Sequence, residues 1–341
     1  MSRTGAGLLL GSVLALGPTL APAYADHDDP IAEITDDRIA ESSALVQSTT
    51  DPDLAYTIND SGNETAVYVI ELDSGEVVGT TTLDVDGEDT EAMAIGVDGR
   101  LYVGDIGDNT ASRDTVALYA IDQPTPGDAT VTPDVYEVRY SDGPGDAETL
   151  MVDPTTGRLS IVTKNLLAGS VYELPKPLEA DGVNVARPIR DVAVEGMVTD
   201  GAYLPDGSGV LLRTYIDVVV YTIPGWHELE PIDTPSQPQS ESLAVRDDGP
   251  SVLVGTEKLP STIYQVRIPH AEWKRLHAGP ERGVATEGPT GETPATSDAD
   301  DDGGHAARWS LASGGAIVVL GALWLWLRRG RSQRGHRAER G

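Results

Sequence analysis

The 341-residue chain has no cysteine, no phenylalanine and only four methionines. Without thiols it can form neither a disulfide nor a thiolate metal centre. Its stability must come from a packed core, and a domain of about 250 residues is large enough to bury one. Basic residues are scarce too: 24 Lys and Arg stand against 55 Asp and Glu, a formal net charge of −31. A nucleic-acid partner is therefore excluded, because neutralising phosphates takes a basic surface. There is no G-x-S-x-G, no Walker loop, no Rossmann glycine pattern and no zinc-type histidine cluster. Only His227 and His270 fall within the repeated region described below, beside prolines or outer-strand loops, which leaves a Ser-His-Asp site without a well-placed base. No amphipathic helix of normal length is evident either.

What is present begins at the two ends. Arg3, the apolar run Leu8 to Leu16 and then Ala23-Tyr24-Ala25 stand in the order of a secretory signal, with cleavage expected after Ala25. Near the other end, Ser310 to Leu327 is uncharged for 18 residues, with Trp309, Trp324 and Trp326 near its ends. At about 1.5 Å per residue it crosses most of a hydrocarbon layer of about 30 Å. Six arginines follow (Arg328, Arg329, Arg331, Arg334, Arg337 and Arg340), and the positive-inside rule keeps them in the cytoplasm. No LPxTG-like pentapeptide precedes the run, so membrane retention is expected rather than a sortase anchor. The expected layout is a signal peptide (1–25), an ectodomain (26–276), an acidic stalk (277–308), a transmembrane helix (309–327) and a basic cytoplasmic tail (328–341). That is a single-pass plasma-membrane protein with its ectodomain outside. Setting aside Arg3 and the tail leaves the exposed part with 17 basic and 54 acidic residues, about −37.

Between the ends, Ile31 to Leu276 reads as short strands separated by Gly, Pro, Asp and Asn, with the period-two alternation of Ala66 to Leu72 and Val116 to Ile121. One pattern recurs: a lead residue, a short apolar run, an Asp/Gly turn and a second apolar strand. The leads are Glu41, Glu91, Glu148, Thr199 and Glu241, spaced by 50, 57, 51 and 42 residues. Each copy adds a third strand carrying an apolar-Tyr pair: Val67-Tyr68, Leu118-Tyr119, Val171-Tyr172, Val220-Tyr221 and Ile263-Tyr264. Repeats of this length made of strands predict an all-β β-propeller of about five four-stranded blades. The last copy has three strands, and Pro30 to Ile34 is expected to supply its fourth. A sixth blade stays open if a degenerate pair lies between Trp226 and Pro238. Ala278 to Arg308, with almost no large apolar residue, reads as a flexible stalk.

In a propeller the lead residues and the ends of the second strands gather around one channel opening. A ring of carboxylates there raises its own pKa values or takes up a hard cation. The candidate metal ligands are Glu41, Glu91, Glu148 and Glu241, with Ca²⁺ as the candidate cofactor. The candidate ligand-binding residues are Lys164, Arg213, Tyr215, Asp105 and Asn109, the two cations being suited to an anionic group. The run Asp84-x-Asp86-Gly-Glu88-Asp89-x-Glu91 has calcium-loop composition, but its Gly comes two places too early for an EF-hand.

The segments Asn59-Asp-Ser-Gly-Asn63, Asp89-Thr-Glu-Ala-Met-Ala94 and Val103-Gly-Asp-Ile-Gly-Asp-Asn109, with Arg113, resemble exported bacterial propeller proteins described as WD40-like or YVTN-like, including relatives called esterase-like phytase domains. The resemblance spans about Ile31 to Pro269. It implies a propeller fold and, in the phytase-type members, calcium held by acidic residues at the channel mouth. Here Thr199 stands where that pattern wants a carboxylate, and Lys164, Arg213 and Lys258 add positive charge. The expected function is a tethered module that binds a ligand or protein of the cell envelope. The alternative is a Ca²⁺-dependent hydrolase, phytase-like or esterase-like, in which Lys164 and Arg213 steady the substrate's charge.

Overall fold

The computed structural model describes residues 29–246 and 249–278. The expected signal peptide, most of the stalk, the transmembrane run and the basic tail lie outside them. Among the described residues no helix is long and apolar enough to cross a membrane.

The described chain is all-β apart from one short helix, His270–Leu276. Strands pair antiparallel in a meander five times over. In chain order the first sheet runs Ser42–Gln47, Leu54–Asn59, Ala66–Glu71 and Val77–Leu83, with Ala129–Val131 added in parallel. Thr90–Ile95, Arg100–Asp105, Val116–Asp122 and Asp134–Tyr140 follow. The last of these pairs in parallel with Asn184–Pro188, so the next meander (Ala147–Val152, Leu159–Thr163, Val171–Glu173, Asn184–Pro188) joins it in one eight-stranded sheet. The two end strands of that sheet, Thr90–Ile95 and Ala147–Val152, pack against each other.

Val198–Tyr203, Gly209–Thr214 and Asp217–Thr222 come next. Their edge carries both His227–Glu228 and Ile232–Asp233. The stretch from Trp226 to Pro238 thus completes this sheet rather than founding another. Ser240–Val245, Ser251–Thr256 and Ser261–Arg267 form the last sheet, and Asp29–Ile34 pairs with Ser261–Arg267. The expected N-terminal closing strand is therefore in place, and it ties the two ends of the described chain into one sheet.

The first strands of these units are each packed against two others. Ser42–Gln47 meets Thr90–Ile95, which meets Ala147–Val152, then Val198–Tyr203, then Ser240–Val245, which returns to Ser42–Gln47. Alternation explains the packing. In Asp217–Thr222, Val218 and Val220 enter one apolar cluster while Val219 and Tyr221 enter the next. Five such clusters fill the spaces between consecutive strand units, so the core is divided rather than single. The short helix was not expected from the sequence. It covers the cluster of Leu204, Leu211 and Val252 with Leu276, which Gly209 admits because any Cβ there would collide with the leucine side chain.

Candidate functional site

Each of the five first strands carries a β-bulge near its start. The register passes from Ser42↔Asn59 to Ala44↔Ile58, leaving Ser43 unpaired. In the same way it skips Glu91, Glu148, Thr199 and Glu241. A bulge re-aims the extra residue out of the alternation that would bury it between sheets. Four of the five expected lead residues occupy these positions. The fifth does not: Ser43, not Glu41, is the counterpart. Shared Glu identity drew the alignment two residues away, whereas strand pairing decides it.

The bulge residues fall into two kinds. The hydroxyls reach the neighbouring strand: Ser43 Oγ donates to Glu91 O (3.0 Å) and Glu91 Oε2 (2.9 Å), and Thr199 Oγ1 to Ser240 O (3.2 Å). The carboxylates gather around one cation. Lys164 Nζ lies 2.5 Å from Glu148 Oε1 and 5.0 Å from the centre of the Tyr215 ring. Burial pushes the Glu91 and Glu148 carboxyls well above the usual range, Glu91 further by the charge of Glu148, with Lys164 working against the rise. Glu241 is pushed up to about 7 by burial, again opposed by Lys164. Burial works against the Lys164 charge, but Glu148 and then Glu241 outweigh it and hold the ammonium well above its ordinary pKa. Burial and then Glu241 also raise the Tyr215 phenol. Two oxygens here are buried without a hydrogen-bond partner among the described residues, Glu91 Oε1 and Glu148 Oε2.

Glu41, Glu91, Glu148 and Glu241 do not form one ligand shell. The ligand atoms that come together, all within 4.8 Å of one another, belong to Asp60, Asp89 and Glu91. That spacing suits a calcium ion, since two oxygens about 2.4 Å from it can be at most about 4.8 Å apart. Gly107 makes the arrangement possible: a Cβ there would meet Asp89 Cγ at 2.5 Å and Glu91 Cγ at 2.9 Å. Glu148 is committed to Lys164, and Glu41 accepts a bond from Lys258 at 3.3 Å, which explains why they stand apart. The signal for Asp89 was in the Asp84 to Glu91 run. No EF-hand template fits it because its partner Asp60 comes from another strand pair.

Asp105 does not face a ligand. Its Oδ1 accepts bonds from Asp89 N (2.9 Å) and pairs with Arg113 Nη1 (2.8 Å), while Oδ2 accepts from Glu88 N (3.1 Å) and Tyr119 OH (2.8 Å). Burial opposes its charge, yet these donors hold its carboxyl below the usual range. Asp105 is thus the post on which the Asp89–Glu91 segment hangs. Asn109 is exposed in the following loop. Arg213 is fully buried and donates Nη1 to Thr234 Oγ1 at 2.7 Å.

The other end of the same five strands is chemically different. A cavity of about 390 Å³ is lined there by Leu45, Met93, Leu150, Leu204 and Leu243 among others. Between the ends sits Asp200, 1% exposed, which sequence reading missed. It accepts bonds from Gly201 N (2.8 Å), Leu243 N (2.8 Å) and Leu45 N (3.4 Å), joining three of the five strands. Burial drives its pKa well up, against the pull of these N–H groups.

No family model matches this chain, and no curated protein is significantly similar to it. Its function has to be argued from the site.

Proposed function

We propose that this chain is an exported, membrane-anchored five-bladed β-propeller that serves as a ligand-binding module in the cell envelope, with a hard cation of the calcium class held at the charged end of its channel. The architecture is supported by the closed cycle of first strands and the five apolar wedges between consecutive units. The signal, the transmembrane run and the arginine tail of the sequence support the location. Kinship with exported WD40-like and YVTN-like proteins remains a proposal that rests on the motifs of the sequence.

One observation carries the cation. Glu91 is 3% exposed, its Oε1 is buried without a partner among the described residues, and that carboxylate converges with those of Asp60 and Asp89. Several like charges held together in a buried place are unfavourable unless protonated or bound to metal. Asp60, Asp89 and Glu91 would hold the ion; bound there, it would supply positive charge to an anionic group of a ligand. The hydrolase reading is favoured by one feature, the Glu241 carboxyl at about 7, poised to give or take a proton near neutral pH.

Thermal unfolding of the full-length chain in calcium and in EDTA tests the cation. A bound ion stabilises the native state by mass action, about 2.7 kcal/mol at a hundredfold excess over Kd. Calcium is expected to raise the melting midpoint, and Glu91→Gln to abolish that rise. Equal midpoints in calcium and EDTA would remove the cation.

A further inference from the structure

Among the described residues three cations are well buried, and they differ in one respect. Lys164 is paired with Glu148 and Arg113 with Asp105. Arg213 is 0% exposed, and its Nε and Nη2 find no hydrogen-bond partner among the described residues. Burying a guanidinium away from water is costly, which a fold tolerates when something repays it. The two free donors are not scattered. Nε and Nη2 share the guanidinium edge that gives two parallel bonds to a carboxylate. The same edge is used in this molecule by Arg38, whose Nε and Nη2 bind Asp36 at 3.0 and 2.7 Å.

The surroundings hold that edge in place. Thr234 Oγ1 takes the Nη1 bond at 2.7 Å and itself donates to Ile216 O at 3.1 Å, so Arg213 is locked by the far side of its fork. Arg213 lies one residue inside the strand end, paired in register with Val218, beside the apolar cluster of Leu211, Val218, Ile232 and Leu243. Asp217 and Glu241 act on it from further off, Asp217 being bonded to Thr214 Oγ1 at 2.7 Å. A dianion would be repelled by both, whereas a monoanion meets less opposition. Ile216, in the link between Gly209–Thr214 and Asp217–Thr222, is 67% exposed.

We propose that the Nε/Nη2 edge of Arg213 is a binding site for a monocarboxylate with a compact apolar body. It is separate from the cation cluster and does not rest on it.

The test is melting and calorimetric titration of the purified full-length chain in detergent, at constant ionic strength, with benzoate or acetate replacing chloride. Benzoate is expected to raise the midpoint, acetate to do so less, and inorganic phosphate not to. Arg213→Met is expected to melt no lower than wild type in chloride, because an unpaired buried charge is exchanged for an apolar chain of similar length. It is also expected to bind benzoate at least about tenfold more weakly. Stabilisation by phosphate but not by carboxylates would overturn the ligand class. An absence of any anion response, or one that survives in Arg213→Met, would reduce Arg213 to a hydrated structural cation. If that variant does not fold, the Nε–H proton resonance of Arg213 in the wild-type chain decides: a downfield move on adding benzoate supports the site, and a stationary signal overturns it.

Discussion

The two ends of the five first strands are built on the same backbone and differ in everything chemical. At one end the charges of Glu91, Glu148 and Glu241 all act on Lys164; at the other, leucines and a methionine help line a cavity. The difference traces to a bulge repeated near the start of each strand, which releases one residue per strand from the in-and-out alternation. Past the bulge the alternation resumes and side chains return to the apolar wedges. A fold of this kind concentrates polar chemistry wherever its strands are irregular, and stability wherever they are regular. Substitutions at the two ends should therefore behave differently, and the contrast can be broken at three places.

The largest effect is expected at Lys164. Its ammonium is the positive group among three buried carboxylates, so Lys164→Met leaves Glu148 and its neighbours uncompensated. Removing one member of a buried pair costs about 4 kcal/mol, and chemical denaturation should read a loss of that order at neutral pH. The double variant with Glu148→Gln should recover most of it. If the single variant is as stable as wild type, the cluster is wetter than its burial implies.

Asp200 comes second because it belongs to neither end. Its carboxylate gathers backbone N–H groups from three strands, and Asp200→Ala strands those donors in the interior. A loss of about 3 kcal/mol is expected, together with faster amide exchange at Leu45 and Leu243. A loss below about 1 kcal/mol would mean that those strands hold together without the central carboxylate.

Much of this was legible in the sequence. The recurring leads marked Glu91, Glu148, Thr199 and Glu241, all of which sit at bulges, and Pro30 to Ile34 marked the closing strand. What escaped has a common physical cause: it depends on contacts between distant segments. Glu41 looked like a lead because it is a glutamate, and only the pairing of Ser42 with Asn59 reassigns the place to Ser43. Asp105 looked like a ligand because it ends a second strand, yet its acceptors are spent on the Asp89 segment and Arg113. Asp200 did not stand out, because the recurring pattern points to its neighbour Thr199. An aspartate one residue after a bulge, between Val198 and the apolar end of its strand, was the available signal.

The smallest expected effect separates the ends most cleanly, through pH. The folded-state pKa of Glu241 is about 7, above its ordinary value of 4.5. The folded chain therefore holds this proton more tightly than the unfolded chain does. The stability it contributes is complete below about pH 4.5 and is lost as the pH rises through 7. In EDTA, the stability of wild type relative to Glu241→Gln should fall by about 2 kcal/mol between pH 4.5 and 7.5. The fall is spread over the range because the charge of Glu241 also acts on the Glu148 carboxyl. Leu243→Ala, at the apolar end of the strand that Glu241 begins, removes buried apolar surface and should cost about 3 kcal/mol equally at both pH values. Denaturant midpoints for the three proteins at the two pH values give the answer directly. Parallel profiles for wild type and Glu241→Gln would show Glu241 titrating as it would in water, and the chemical contrast between the two ends would then rest on burial in name only.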